Sequence, residues 1–170
     1  MPEVAVLLVE DDAIVRAWVR LALAESEFRI AGEASTAGEA LELAGRRAPA
    51  LLLVDHNLPD GTGTELVRAL RERGSPVPAV LMTAGATGGL NEAAREAGVE
   101  GTVVKSGRGD ELLTALRTCS KAAGRSTHAI RSARPGKRRS RRASARCSAW
   151  WPPGGRTPKW RRSSASARRR

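Results

Sequence analysis

Six side chains able to bind a cation or handle a phosphoryl group stand directly behind short apolar runs: Glu10, Asp11 and Asp12 after VAVLLV, Asp55 after LLLV, Thr83 after AVLM and Lys105 after TVV. Clustered carboxylates repel one another unless a cation neutralises them. Hard oxygen donors with room for water suit Mg2+, which takes near-octahedral ligands at about 2.0 to 2.1 Å. A carboxylate facing such a metal can accept a phosphoryl group. Asp55 would attack phosphorus in line, Mg2+ and Lys105 would stabilise charge on the transferring oxygens, and Thr83 would hydrogen-bond one of them. Taken singly, each residue has a plainer reading. An acidic triplet can merely favour the positive end of a helix, an Asp behind a strand is an ordinary turn residue, a Thr there is a satisfied hydroxyl, and a lone Lys is a solvated charge. Their joint occurrence behind successive apolar runs is what points to a site.

These groups are far apart in sequence, so the runs that carry them must lie side by side. Val4 to Val9, Phe28 to Ala31, Leu51 to Val54, Ala79 to Met82 and Thr102 to Val104 read as five strands. Runs such as VAVLLV and LLLV are continuous rather than alternating, as expected of strands buried on both faces. Between the strands the period is helical. Ile14, Val15, Trp18, Leu21 and Ala22 form one apolar stripe, predicted to face the core. Thr36 with Glu39, and Thr62 with Glu65, match the capping-box spacing, and Asp110 is placed to cap the last helix. Alternating strands and helices joined by right-handed crossovers predict an α/β fold over residues 1–118: a five-stranded parallel sheet, doubly wound and flavodoxin-like. In such a sheet ligands bind beyond the carboxyl ends of the strands, where all six residues fall.

Residues 1–118 hold 12 Lys+Arg and 18 Asp+Glu, whereas residues 119–170 hold 17 Lys+Arg and no acid. The formal charge of +11 therefore joins two unlike parts, and the whole-chain value says nothing about the front part. Cys119 and Cys147 lack the spacing of a zinc site or a redox pair, which suggests a reducing compartment. No apolar run approaches the ~18 residues of a membrane span, and Met1 is not followed by a basic and then apolar leader, so a cytoplasmic location without membrane association is expected. Beyond Thr118 the apolar period stops, and residues 119–170 are expected to form a disordered basic tail.

The motifs LLVEDD, VDHNLPDGTG, VLMTA, the glycine-rich segment after it, and VVKS fall in an order and spacing that resembles the response-regulator receiver domains of two-component systems, over nearly all of residues 3–118. The resemblance implies that Asp55 is the phosphoacceptor, that Asp11 binds the metal directly and Glu10 through water, and that Asn57 gives its backbone carbonyl to the metal. Thr83 is then the switch hydroxyl and Lys105 the phosphate-facing lysine, with Ala84, Thr102 and Ser106 on the switch and interface surface. A histidine kinase would be the phosphodonor, and a homodimer could form on phosphorylation. Two departures stand out. Ser106 follows the lysine where many receivers have proline, which resembles the subfamily with a LuxR-type (NarL-like) helix-turn-helix output. Thr102 replaces the usual aromatic, which removes the ring-rotamer form of the switch. The parent role implied is DNA-binding transcriptional regulation. A phosphatase with an aspartyl nucleophile is the enzymatic rival, but its DxDx[TV] motif needs a second Asp where Asn57 stands, so an enzyme is not expected.

As it stands the tail shows neither helical nor alternating apolar period, and no intact DNA-binding element is legible in it. Arg-rich runs such as KRRSRR would bind nucleic acid only non-specifically, through phosphates. Arg, Ala, Pro and Gly in excess, without acids, are also what a GC-rich gene yields when read out of frame. Recombining the third base of each codon with the first two of the next permits LTPR over Ser140 to Arg142 and, from Ala143, EREVLRLVAAGRTNAEMAEELGVSA. That string resembles the opening helices of a LuxR-type output domain. A frameshift near Thr118 or Cys119 is therefore expected.

Overall fold

The computed structural model describes residues 3–85 and 88–130. Its strands are β1 (Val4–Val9), β2 (Phe28–Ala34), β3 (Leu51–Asp55), β4 (Asn57–Leu58), β5 (Gly61–Thr62), β6 (Ala79–Thr83) and β7 (Gly101–Val104). Its helices are α1 (Ala13–Leu23), α2 (Ala37–Arg47), α3 (Gly63–Glu72), α4 (Gly88–Glu96) and α5 (Gly109–Ile130). Five strands form one parallel sheet in the order β2-β1-β3-β6-β7, and β4 pairs with β5 as a short antiparallel hairpin. This is the flavodoxin-like order. Because strand side chains alternate, Leu7, Val9, Leu52, Val54 and Leu81 meet α2, α3 and α4 on one face. Val6, Leu8, Leu51, Leu53, Val80 and Met82 meet α1 and α5 on the other. The continuous apolar runs are thus continuous because both faces are covered.

Three local expectations need correction. Only part of the stripe on α1 faces the core: Ile14 and Leu21 are 80% and 78% exposed, and Val19 and Leu23 are the buried residues. At about 100° per residue, Val19 and Leu23 lie about 140° and 180° round the helix from Ile14. Val15, Trp18 and Ala22 border that buried side and pack against it. Strand β2 runs on to Ala34: the register to β1 shifts at Ala31, and Gly32, Glu33 and Ala34 then pair with Leu7, Leu8 and Val9. Asp110 does not cap α5, which begins at Gly109; it sits in the first turn, where its charge still favours the positive helix end. Thr62, by contrast, makes the full capping box with Glu65, while Glu39 reaches the backbone N–H of Ser35 at 2.8 Å, one residue short of a box with Thr36.

Helix α5 also runs through the boundary expected at Thr118, so residues 119–130 are helical rather than disordered. Leu112, Leu116 and Cys119 fall four and three residues apart and continue one buried stripe. Gly101 leaves room for the thiol: a Cβ there would stand 2.7 Å from Cys119 Sγ. The remaining tail, 131–170, and the disorder and frame change expected of it, lie outside the described residues.

Candidate phosphoacceptor and metal site

Strands β1, β3 and β6 are adjacent, with Val9 beside Val54 and Asp55 beside Met82, so the residues that follow β1 and close β3 emerge together. Glu10, Asp11 and Asp55 converge: one carboxylate oxygen from each lies within 4.8 Å of the others. Glu10 is fully buried, Asp55 nearly so, and Asp11 open to solvent. Lys105 enters from the end of β7. Its backbone N–H donates to Thr83 O at 2.8 Å, and its Nζ stands 2.8 Å from Glu10 Oε2 and 2.9 Å from Asp55 Oδ1. Asp12 is the N-cap of α1, its side chain accepting from Ile14 N at 2.7 Å, and so turns away from the cluster.

The electrostatics follow from this packing. Burial holds the Glu10 carboxyl above its usual range, with Asp55 adding repulsion, although Lys105 and the Asp12 N–H pull the other way. Burial alone would lower the Lys105 ammonium, but its close pairing with the charges of Glu10 and Asp55 outweighs this and raises it. Two of the three carboxylates, Glu10 and Asp55, share the one ammonium, and Asp11 is left without it. Glu10 Oε2 is buried and, though 2.8 Å from Lys105 Nζ, is not aligned to accept a hydrogen bond from it. An all-oxygen donor set with surplus negative charge and an unaligned buried oxygen fits a hard divalent cation such as Mg2+.

The remaining expected residues lie around this cluster. Thr83 is buried at the end of β6, but its hydroxyl donates to Gly85 O at 2.8 Å and accepts from Gly85 N at 3.2 Å, so it is engaged within its own loop. Asn57 lies in the β4–β5 hairpin directly after β3, with an exposed side chain. Ala84 is exposed after Thr83, and Thr102 is exposed on β7, beside a shallow hollow of about 390 Å3 lined with Asp110, Glu111 and Thr114. Ser106 braces the turn before α5, accepting from Arg108 N at 3.3 Å and donating to Glu111 Oε2 at 2.9 Å. His56, directly after Asp55, is half-buried, and its Nδ1 lacks a hydrogen-bond partner among the described residues.

Sequence reasoning missed three residues that hold the site's surroundings. Trp18 donates from Nε1 to Gly107 O at 3.1 Å, fastening α1 to the loop after Lys105. Asp60 accepts from Ala37 N at 2.8 Å and Gly38 N at 3.0 Å, fastening the β4–β5 hairpin to the start of α2. Arg16 reaches back from α1 to the carbonyls of Glu10 and Asp11. Only Arg16 left a sequence signal, as a cation in the first turn of a helix.

Residues 6–117 match the family model described as the response regulator receiver domain. The chain is 37% identical over 112 residues to the KDP operon transcriptional regulatory protein KdpE of Escherichia coli, covering 66% of this chain and 49% of that protein. It is 35% identical over 115 residues to the DNA-binding transcriptional activator DevR/DosR of Mycobacterium tuberculosis, covering 67% and 53%. The chain thus spans about half the length of these curated relatives. Among solved structures it is similar to the signal receiver domain of the response regulator NarL from Mycobacterium tuberculosis, with a TM-score of 0.68, 27% identity, and coverage of 71% of this chain and 98% of that one. Fold, matched residues and the acidic cluster at the strand ends agree, and the chain belongs to the response-regulator receiver family.

Proposed function

We propose that this chain receives a phosphoryl group on Asp55 from a histidine kinase in the cytoplasm and changes conformation in response. One observation carries the reading: the nearly buried Asp55 carboxylate lies 2.9 Å from Lys105 and against the Glu10–Asp11 pair at the mouth of a receiver fold. In the transfer, an Asp55 oxygen forms a bond to phosphorus as the bond to the donor imidazole nitrogen breaks and the imidazole leaves. Mg2+ held by Glu10, Asp11, Asp55 and the Asn57 carbonyl would neutralise charge on the transferring oxygens. Lys105, already beside Asp55, would follow the new negative charge, and Thr83 would exchange its bond with Gly85 for one to a phosphoryl oxygen, shifting a pre-existing equilibrium of the loop after β6. With Thr102 in place of a ring, the shift would be read from the Thr83 loop and the β7–α5 surface. Incubation with Mg2+ and acetyl phosphate should add one hydroxylamine-labile phosphoryl group, and Asp55→Asn should abolish it. Labelling that survives the substitution refutes the assignment.

The curated relatives are mainly transcriptional regulators, which supports a transcriptional role for the parent protein, with the output exerted on DNA by a LuxR-type domain and enhanced by dimerisation. For the tail the reading is a lost frame. The nucleotide sequence after codon 118 should continue, one base displaced, through a recognition helix; an early stop in that frame overturns the reading. The alternative is a stand-alone receiver whose basic tail binds nucleic acid without sequence preference, and its mark would be binding that falls steeply with salt.

A further inference from the structure

Arg16 is placed against ordinary helix electrostatics. The N-cap of α1 is Asp12, so Arg16 lies in the first turn, where the positive end of the helix disfavours a cation, and that turn contains no acid to offset it. The side chain folds back over the helix start. Its Nη1 donates to Glu10 O at 2.8 Å and Asp11 O at 3.0 Å, with Ser35 Oγ at 3.4 Å, and its Nε lies 3.8 Å from Glu33 Oε2.

The consequence for the site lies in which carbonyls are taken. A peptide unit is planar, so fixing a carbonyl fixes the whole plane. Glu10 O belongs to the plane before Asp11, and Asp11 O to the plane after it. One guanidinium nitrogen therefore holds both planes flanking Asp11, and with them the direction of its Cα–Cβ bond. Glu10 has other restraints: it is buried, bonded to Asp12 N at 3.2 Å through Oε1 and paired with Lys105. Asp11 is exposed. We propose that Arg16 is a positioning residue for the metal site, aiming the Asp11 carboxylate at the cluster by clamping the peptide planes on either side of it. The proposal rests on the reading of that cluster as a Mg2+ site, but the clamp itself is testable without metal.

Arg16→Met keeps the stem and removes the donors, Arg16→Lys keeps the charge without the guanidinium fork, and Arg20→Met is the control, because Arg20 holds the same Glu33 at 2.6 Å without touching the turn. Loss of a partner that orients a metal ligand typically weakens metal affinity about 10- to 100-fold. Titration with Mg2+ should show about tenfold weaker binding for Arg16→Met, a smaller loss for Arg16→Lys, and none for Arg20→Met. Phosphorylation by acetyl phosphate should return to the wild-type rate at saturating Mg2+. Asp11→Asn added to Arg16→Met should cost less than it does alone, since the clamp acts through Asp11. Mg2+ affinity within twofold of wild type for Arg16→Met, or fully additive effects with Asp11→Asn, overturns the proposal. In Mg2+-free buffer, amide relaxation at Asp11 and Asp12 should show greater motion in Arg16→Met at an unchanged fold. If the wild type takes up no Mg2+, the metal-site reading fails, and this last measurement decides the clamp alone: wild-type order parameters at both amides overturn it too.

Discussion

Gly63→Ala tests how tightly the acceptor strand is packed. Gly63 opens α3 and donates its N–H to His56 O at 2.8 Å, which brings the helix start against β3. A Cβ at Gly63 would stand 2.3 Å from Asp55 O, 2.7 Å from Leu81 Cδ1 and 3.0 Å from Val54 Cγ1. The first is backbone, about 1 Å inside ordinary contact, so the helix or the acceptor strand has to move. Overpacking of this kind costs about 1 to 3 kcal/mol, and immobile backbone places it at the upper end. Against that, alanine in a helix gains about 0.5 to 1 kcal/mol over glycine. The net expectation is a loss of about 2 kcal/mol, or about 6 to 10 °C in Tm for a domain of this size. Gly45 is the counterpart: it lies in α2 with nothing within 4 Å of an added Cβ, so Gly45→Ala should stabilise by about 0.5 kcal/mol. Urea unfolding of both variants, with acetyl phosphate labelling at equal folded fraction, reads the outcome. Gly63→Ala should be less stable and slower to label, because Asp55 shifts with its strand. A Gly63→Ala protein as stable as wild type would refute the packing argument.

Lys105→Ala should leave Glu10 and Asp55 facing each other without a counter-charge, and stability in EDTA should fall by about 3 kcal/mol, the low end for a buried pair because Lys105 is partly exposed; added Mg2+ should restore most of it, and an EDTA stability equal to wild type would show that the ammonium is not the site's counter-ion. Arg117 beside Glu27, at 2.7 and 2.9 Å, holds that carboxyl at about 2, below its ordinary value of 4.5. Because the folded value is depressed, the pair's stabilisation is complete above pH 4.5 and is lost as pH falls through about 2; Glu27→Gln should flatten that part of an acid unfolding curve, and an unchanged curve would count against the pair. Ile14 and Leu21 are exposed on one side of α1, which starts beside the acidic pair, so Ile14→Ser with Leu21→Ser should slow transfer from the kinase while leaving transfer from acetyl phosphate intact. Equal slowing of both donors would show that the substitutions disturb the pocket and not a docking face.

What the sequence disclosed follows from where physical constraints are local. A strand covered on both faces must be apolar throughout, so β1, β3 and β6 stand out, and the residue behind each is located to within one position. Glu10, Asp11, Asp55 and Lys105 therefore converge as expected. The side of α1 that faces the core is not local information. It depends on how the helix rolls against α5 and the sheet, and apolar spacing admitted Ile14 and Leu21 as readily as Val19 and Leu23. The continuation of α5 was hidden because the apolar stripe ends with Cys119, while the helical backbone continues to Ile130. Asp60 and Trp18 act on backbone groups 23 and 89 residues away, and no sequence period reports such contacts.

The two walls of the pocket are fastened very unequally. On the Asn57 side, the β4–β5 hairpin is tied at both ends: Asp60 grips the start of α2 with two bonds, Gly63 is bonded back to His56, and the Thr62 capping box locks the turn onto α3. On the other side, the Thr83 hydroxyl trades bonds with Gly85, two residues along its own chain, and with nothing else among the described residues. If Asp55 takes the phosphoryl group proposed above, the new charge would act on both walls, with the hairpin side as an anvil and the Thr83 side as a latch. On that reading the work of the charge would be delivered to one side of the domain, as a directed movement of the Thr83 loop.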